Sequence, residues 1–278
     1  MKEHLVKIYA LAGILAASVS FAAQNAKPGV VHLAKFSDSS IDESSGLAAS
    51  KRYPGIFWTH NDQGHDPVLF AVNRAGKTVA KFKIVGVNVN DWEDVAIDNS
   101  GHVYIADTGN NDGSRDKVQV YMLQEPAPKG SGSVRVQKTW KLSYPSSGSF
   151  NGEAFFINNG YGYLVGKDLV NSGAPVYRFP LSSSSSLVLQ RVGTLKVNYR
   201  VTGAAVSTDN MSLGIVTENG AYVFPINGVA TRAFVVRPFF TPLNDTSMEG
   251  GTFAGDGFLV SSEKGDLFLF NQPPFRKR

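Results

Sequence analysis

The sequence predicts an all-β protein, a β-propeller with five blades of four strands each. Beyond an apolar N-terminal segment, short runs rich in Val, Phe, Tyr and Leu alternate with turns rich in Gly, Asn, Asp and Ser, a pattern typical of strands. A similar motif of small and apolar residues occurs five times, and we call its first residue the opener. The five openers are 48, 60, 49 and 47 residues apart: Ser45, Glu93, Glu153, Thr202 and Glu249. Four strands at a period of roughly 40–50 residues are typical of a propeller blade.

The first 22 residues have the layout of a secretory signal peptide. Residues 1–7 carry two lysines, residues 8–19 are apolar or small, and Ser20-Phe21-Ala22 supplies small residues at a cleavage site. An uncleaved membrane anchor is the alternative, but the apolar run is shorter than the roughly 20 residues that a spanning helix needs. We therefore expect one propeller domain over residues 23–278, secreted or periplasmic, with no membrane span in the mature chain.

The strands of the repeats follow the same order along the chain. Each opener begins a first strand, and an aromatic-rich second strand follows at 56–62, 102–107, 162–168, 212–218 and 257–263. Third strands are predicted at 68–72, 118–123, 175–180, 221–226 and 266–270, and fourth strands at 78–85, 137–144, 188–197 and 230–240. The fifth repeat lacks a fourth strand, and residues 29–36 are the natural replacement. The Ser-rich run 182–186 is interpreted as a turn or surface excursion, and a six-bladed propeller is the alternative architecture.

Composition excludes several classes of function. The 278 residues contain no Cys, so disulfides, thiolate metal sites and Cys nucleophiles are excluded. The formal net charge of +4 is small, and no basic stripe with interleaved aromatic residues indicates nucleic-acid binding. Gly-x-Ser-x-Gly, His-Glu-x-x-His and Walker A motifs are all missing from the sequence. We expect a monomer.

The innermost strand of each propeller blade lines a central channel, so the five openers are expected to form one ring around it. Side chains alternate along a strand, so residues two positions earlier face the same way. They form a second tier near the channel mouth: Glu43, Asp91, Asn151, Arg200 and Ser247.

Three glutamates in one ring predict a bound cation. At ~8 Å separation and an effective dielectric constant near 20, each carboxylate pair repels by about 2 kcal/mol. Carboxylates and hydroxyls, with no His or Cys among them, favour Ca²⁺. The predicted ligands are Ser45, Glu93, Glu153, Thr202 and Glu249. In the alternatives, Arg200 neutralises the ring around a water-filled channel, or these side chains bind only loop backbone.

The predicted mouth also contains candidate catalytic and binding side chains. The polar cluster 59–66 includes two histidines, which titrate near neutral pH, although a turn stabilised by its own Asp and Asn is the plainer interpretation. We expect Glu43, Asp91 or His60 to activate a water molecule. Three cations are candidates for contacting phosphate oxygens, or for balancing the acidic ring or facing solvent: Lys167, Arg200 and Lys264.

The five openers, in the order Ser, Glu, Glu, Thr, Glu, resemble the axial residues of the calcium-activated nucleotidase (apyrase) family. The resemblance implies a five-bladed propeller, Ca²⁺ held in the central cavity by these oxygens, and hydrolysis of nucleoside di- and triphosphates. The phrases Ser44-Ser45-Gly46-Leu47 and Glu249-Gly250 also resemble secreted propellers that include phytase-like esterases and lactonases.

Two functional hypotheses follow from the ring. In the first, a central calcium ion supports hydrolysis of a phosphate-bearing, ester or lactone substrate at the mouth. In the second, the ion is structural, and the loops of a non-catalytic propeller bind a small-molecule or polymer ligand. The fold alone is compatible with both hypotheses.

Overall fold

The computed structural model describes residues 29–145, 150–272 and 275. The predicted signal peptide, residues 1–22, lies outside the described residues. Among the residues described, no helix is long and apolar enough to cross a membrane.

The described strands form five sheets, each a blade with its innermost strand first in the order below. The first two blades are β2 (Ser44–Ala49), β3 (Ile56–Asn61), β4 (Val68–Asn73), β5 (Thr78–Val85) and β9 (Gly130–Arg135); then β6 (Trp92–Ile97), β7 (His102–Asp107), β8 (Lys117–Gln124), β10 (Lys138–Ser143) and β14 (Ser186–Val188). The third and fourth are β11 (Gly152–Asn158), β12 (Tyr161–Gly166), β13 (Ala174–Pro180) and β15 (Gln190–Leu195); then β16 (Val201–Val206), β17 (Ser212–Thr217), β18 (Gly220–Pro225) and β19 (Phe239–Pro242). The fifth is β20 (Met248–Ala254), β21 (Gly257–Ser262), β22 (Asp266–Phe270) and β1 (Val30–Lys35).

The N-terminal strand completes the last blade, as the sequence predicts. Strand β1 pairs antiparallel with β22, with Val30 opposite Phe270 and Lys35 opposite Asp266. The innermost strands β2, β6, β11, β16 and β20 contact one another in sequence, and β20 contacts β2. The protein is therefore a five-bladed β-propeller, and the four-stranded blade is confirmed.

Apolar side chains fill the space between each pair of neighbouring blades. Five clusters of buried hydrophobic residues each combine two adjacent sheets, including the pair formed by the fifth and first blades. Trp58 of β3 and Trp92 of β6 are fully buried in the cluster between the first two blades. Burial of apolar surface between the blades, at roughly 25 cal/mol per Å², stabilises a chain that has no disulfides.

One predicted strand is wrong over most of its length. Within 230–240, Ala230–Phe234 forms a 3₁₀ helix, and only β19 continues as a strand. Ala230 and Ala233 are buried three residues apart, which matches a 3₁₀ turn rather than a strand. The Ala230 N–H donates to Asn158 Oδ1 (3.0 Å), so the turn is held against the third blade.

Two blades carry a fifth strand that the sequence did not predict. Strand β9 pairs parallel with β5, and β14 pairs parallel with β10. The Ser-rich run 182–186 forms a turn as expected, but its last residue begins β14. Both added strands are largely exposed and cover sheet edges, and only Val134 of β9 and Leu187 of β14 pack partly against the hydrophobic clusters.

Candidate metal centre

A register shift in the innermost strand of every blade changes the direction of one side chain. In β6, Trp92 pairs with Asp107 and Asp94 pairs with Ala106, so Glu93 has no partner across the ladder. Similar shifts occur in the other four innermost strands and leave the remaining four openers unpaired: Ser45, Glu153, Thr202 and Glu249. Such bulges bend the strand and redirect side chains. The five predicted ring residues therefore occupy equivalent positions, one in each blade.

The three ring glutamates influence one another electrostatically. Glu93 and Glu153 are buried, and Glu249 is partly buried. Burial raises the pKa of Glu93 well above its usual value, and the charges of Glu153 and Asp62 raise it further. Burial followed by the charge of Glu153 does the same to the pKa of Glu249. The three carboxylates therefore belong to one acidic site at the centre of the propeller.

The densest part of this site combines three carboxylates from two blades. Oxygen atoms of Asp62, Asp91 and Glu93 all lie within 4.8 Å of one another. Asp62 follows β3 of the first blade, and its N–H donates to the Glu43 carbonyl oxygen (3.0 Å). Asp91 and Glu93 come from the second blade. Asp62 lies in the polar cluster 59–66 but is not among the ligands predicted from the sequence.

Two carboxylate oxygens of this cluster are buried without hydrogen-bond partners. Asp91 is 6% exposed and Glu93 is 4% exposed, and neither Asp91 Oδ1 nor Glu93 Oε1 accepts a hydrogen bond from the described residues. Burial and then the charge of Asp62 raise the pKa of Asp91 to about 7. Buried acceptors beside like charges are costly unless a cation or protons compensate them. The cluster has the oxygen donors that a hard divalent cation requires.

Gly109 lies directly against the acidic cluster. A Cβ atom at this position would overlap Glu93 Oε1 and the Asp91 carboxylate. The Gly109 N–H donates to the Asp91 carbonyl oxygen (3.1 Å), and Arg115 donates to the Gly109 carbonyl oxygen (2.5 Å). Arg115 also pairs with the fully buried Asp107 (2.7 Å), which accepts a bond from the Asp91 N–H. This network holds the loop after β7 over the carboxylates.

Lys167 compensates one ring glutamate, whereas Arg200 pairs elsewhere. Lys167 Nζ lies 2.9 Å from Glu153 Oε1, which also accepts a bond from Asn151 Nδ2 (2.6 Å). Burial alone lowers the pKa of Lys167, but the neighbouring glutamates outweigh burial and raise it. Arg200 is half-exposed and pairs with two other mouth carboxylates, those of Asp168 (3.1 Å) and Glu218 (3.3 Å). Lys264 lies in an exposed turn after β21.

The two ring hydroxyls differ in the bonds that they make. Ser45 Oγ donates to the Glu93 carbonyl oxygen (2.6 Å), which links the first blade to the second. Thr202 Oγ1 is buried and has no partner among the described residues. Thr202 therefore offers an uncommitted oxygen, whereas the Ser45 hydroxyl proton is already used.

The candidate bases occupy different environments. His60 is fully buried, its ring packs edge-on against Trp92 with centroids 5.5 Å apart, and burial lowers its pKa. Glu43 is exposed, and its Oε2 lies 3.5 Å from His65 Nδ1. Asp91 belongs to the acidic cluster. Only Glu43 therefore combines a solvent-facing carboxylate with a backbone link to Asp62.

Asp94 is an axial residue that sequence analysis missed. It is fully buried, and Asp94 Oδ2 accepts bonds from Phe155 N (2.8 Å) and Ala204 N (3.1 Å), which belong to the third and fourth blades. Burial raises its pKa well above the usual value, although these backbone donors oppose the effect. Small residues occupy the corresponding positions of the other blades and leave room for this one carboxylate: Gly46, Ala154, Gly203 and Gly250. Asp94 therefore crosses the axis and ties three blades together.

Comparisons with known proteins show limited similarity. No family model matches the sequence, and no curated protein sequence matches it. One similar solved structure is titled a nidogen/laminin complex, at 10% identity and a TM-score of 0.47, covering 79% of this chain and 72% of that one.

Two further structures show similarity at the same level. A virginiamycin B lyase from Staphylococcus aureus is 10% identical with a TM-score of 0.42, covering 82% of this chain and 66% of the lyase chain. A functionally unknown protein from Desulfotomaculum acetoxidans DSM 771 is 13% identical with a TM-score of 0.45, covering 84% and 73%. These similarities are too low to assign an activity, and the nucleotidase resemblance stays a prediction.

Proposed function

We propose that this protein binds Ca²⁺ at the mouth of its central channel and hydrolyses a phosphate-bearing, ester or lactone substrate there. One observation carries the proposal: carboxylate oxygens of Asp62, Asp91 and Glu93 lie within 4.8 Å of one another, and Asp91 and Glu93 each have a buried oxygen without a hydrogen-bond partner among the described residues. Three negative groups this close repel one another unless a cation shares them.

The donor set favours calcium over softer metals. All three side chains offer carboxylate oxygens, and the unpartnered hydroxyl of Thr202 is a further oxygen donor from the ring. Calcium takes 6–8 oxygen ligands at 2.3–2.6 Å, whereas imidazole and thiolate ligands suit zinc or copper. Extracellular modules bind calcium with Kd values of about 10⁻⁴–10⁻³ M. If residues 1–22 direct export, as we propose, an affinity in this range would be sufficient.

A substrate oxygen would complete the coordination of the proposed ion. Three carboxylates supply fewer ligands than calcium requires, and Asp62 is only partly buried. A bound calcium ion would polarise a phosphoryl or carbonyl oxygen. Glu43, exposed and linked through its carbonyl to Asp62, is the residue that we propose accepts a proton from the attacking water. We also propose that the exposed Arg200, which pairs with Asp168 and Glu218, orients an anionic substrate.

A structural role for the ion is the second candidate. Asp62 belongs to the first blade, whereas Asp91 and Glu93 belong to the second, so one ion would join two blades. In this version the mouth loops bind a small-molecule or polymer ligand without chemistry. Binding of calcium without turnover would favour this candidate.

Calcium titration and turnover assays on the mature protein distinguish these candidates. Wild-type protein is compared with the Glu93→Gln variant and with a matched control, Asp168→Asn, which removes a mouth carboxylate outside the cluster. We expect Glu93→Gln to weaken calcium binding and Asp168→Asn to leave it unchanged. Calcium-dependent turnover on a panel of nucleotides, phosphoesters, aryl esters and lactones would support the enzyme. Wild-type protein that binds no calcium would refute both candidates.

A further inference from the structure

A polar pocket lies at the end of the propeller axis opposite the acidic cluster. Asp91 and Glu93 precede or begin the innermost strand β6, whereas this pocket is formed where the innermost strands end. Its cavity measures about 250 Å³. The lining includes Lys51 after β2, Asp98 after β6, Asn158 at the end of β11 and Ser207 after β16. Four blades therefore contribute to one pocket.

Lys51 brings an uncompensated positive charge to this pocket. Its Nζ donates to Thr208 Oγ1 (3.1 Å), but within residues 29–145 and 150–272 no carboxylate forms an ion pair with it. Burial lowers the pKa of Lys51, as expected for an ammonium that has lost part of its hydration without gaining a counter-charge.

The one carboxylate lining the pocket is already engaged. Asp98 Oδ1 accepts bonds from the backbone N–H groups of Ser100 (2.8 Å) and His102 (2.9 Å). Asp98 Oδ2 interacts with His102 Nδ1 (3.0 Å) and accepts a bond from the Tyr104 hydroxyl (2.9 Å). Asp98 therefore serves its own turn and neighbouring strand and does not neutralise Lys51.

Asn158 adds a buried donor to the same lining. Its side chain is 2% exposed, and Asn158 Oδ1 accepts a bond from the Ala230 N–H (3.0 Å). Asn158 Nδ2 donates to no described residue, although a buried amide donor without a partner is costly. The amide orientation is fixed by the Ala230 contact, so the N–H₂ group is the part of this side chain that lacks a partner among the described residues.

We propose that the Lys51 pocket is a second ligand site, which binds the phosphate or carboxylate group of a small anionic molecule. The Lys51 ammonium supplies the counter-charge, and the Asn158 amide donates a further hydrogen bond. The cavity is smaller than the roughly 300–1,000 Å³ of typical drug-sized ligand pockets, which limits the ligand to a small molecule. The site is separated from the calcium cluster by Asp94 and does not depend on the proposed hydrolysis.

Calorimetric titration of the mature protein, in calcium-free buffer of low chloride concentration, tests this site. Inorganic phosphate and succinate are the two probes, and the tighter probe identifies the anionic group. We expect saturable binding of at least one probe. The Lys51→Met variant should lower its affinity at least about tenfold, because it removes a charge-assisted hydrogen bond. The control Lys83→Met, which removes an exposed lysine in the fourth strand of the first blade, should bind like the wild type.

Two further measurements keep the test decisive. The Asn158→Asp variant keeps the oxygen that accepts the Ala230 N–H but lacks the amide donor, so we expect it to bind the probe more weakly as well. This variant serves as the test if Lys51→Met does not fold. Probe saturation should raise the Lys51 pKa measured by NMR, since a bound anion stabilises the ammonium. The proposal is overturned if the wild type binds neither probe saturably, or if Lys51→Met binds both as tightly as the wild type.

Discussion

Lys167 lies 2.9 Å from Glu153 and neutralises this ring glutamate, whereas Glu93 has no ion-pair partner among the described residues. The two glutamates occupy equivalent positions in adjacent blades. Only one of them has an ion-pair partner within the described part of the chain because the residues that follow the second strands of the two blades differ. In the third blade Lys167 follows the last residue of the second strand, whereas the second blade has Thr108 at the corresponding position. Negative charge therefore accumulates between the first and second blades, where Asp62, Asp91 and Glu93 meet.

Removing the uncompensated charge of Glu93 should stabilise the calcium-free protein but weaken its stabilisation by calcium. At pH 8, without calcium, we expect Glu93→Gln to raise the thermal midpoint of unfolding, because it relieves repulsion from Glu153, Asp62 and Asp91. With calcium, the same variant should gain less stability than the wild type. Thermal melts with and without 5 mM calcium, a concentration about five- to fiftyfold above typical extracellular-module Kd values, measure both effects. A variant that melts below the wild type without calcium would contradict this interpretation.

Breaking the Lys167–Glu153 pair should destabilise the protein. Glu153 is 1% exposed, so Lys167→Met leaves a buried carboxylate without its counter-charge. Fully buried pairs lose about 3–5 kcal/mol when one partner is removed, and we expect a smaller loss because the Lys167 side chain retains 17% exposure. The double variant Lys167→Met/Glu153→Gln should recover part of the loss, as measured by urea unfolding. Additive losses in the double variant would show that the two side chains are not coupled.

Gly109 should be intolerant of a methyl group. Gly109→Ala places a Cβ where Glu93 Oε1 and the Asp91 carboxylate lie, so the loop must move away from the cluster. We expect weaker calcium binding and a lower unfolding midpoint. Gly255→Ala is the matched control, because a Cβ there meets no atom within 4 Å. Equal calcium affinities for the two variants would mean that the Gly109 loop does not shape the site.

Stability should depend on pH in a direction set by Asp91. Its pKa is raised from 3.8 to about 7 in the folded protein, so between these values the folded state binds the proton that the unfolded state releases. In the absence of calcium, the contribution of Asp91 to the free energy of unfolding should therefore be greatest below about pH 4. It should fall as the pH rises towards 7. Calcium replaces protons at the carboxylates, so its stabilising effect should be larger at pH 8 than at pH 5. Melts of metal-free protein with added calcium chloride at both values test the sign, and a larger effect at pH 5 would contradict it.

The repeat pattern predicted the parts of the fold whose side chains are buried. The fourth strand of the first blade was predicted at 78–85, the bounds of β5, because its Ala, Phe and Ile alternate with polar residues. The closing strand β1 followed from the missing fourth strand of the fifth repeat. The strands β9 and β14 lack such a pattern, since β9 begins with four exposed Gly and Ser residues and β14 has only three residues. Their pairing depends on sheet edges supplied by other parts of the chain.

The candidate site was only partly predictable for a related reason. The openers share a spacing, so the five ring positions could be located along the sequence. Asp62 reaches the cluster from a different blade, and Asp94 stands beside Glu93, where strand alternation points a side chain away from the ring. A register shift in β6 removes that alternation, and nothing in the local sequence indicates it. Such contacts become visible only when neighbouring blades are placed together.

A crystal structure of the mature protein grown with calcium would test the central proposal most directly. We expect an anomalous peak with oxygen atoms of Asp62, Asp91 and Glu93 at 2.3–2.6 Å, the range for calcium ligands. We also expect that peak to be lost in Asp62→Asn/Glu93→Gln crystals grown in the same solution. Wild-type crystals in which these three carboxylates are bound only to water or to protein donors would contradict the proposal.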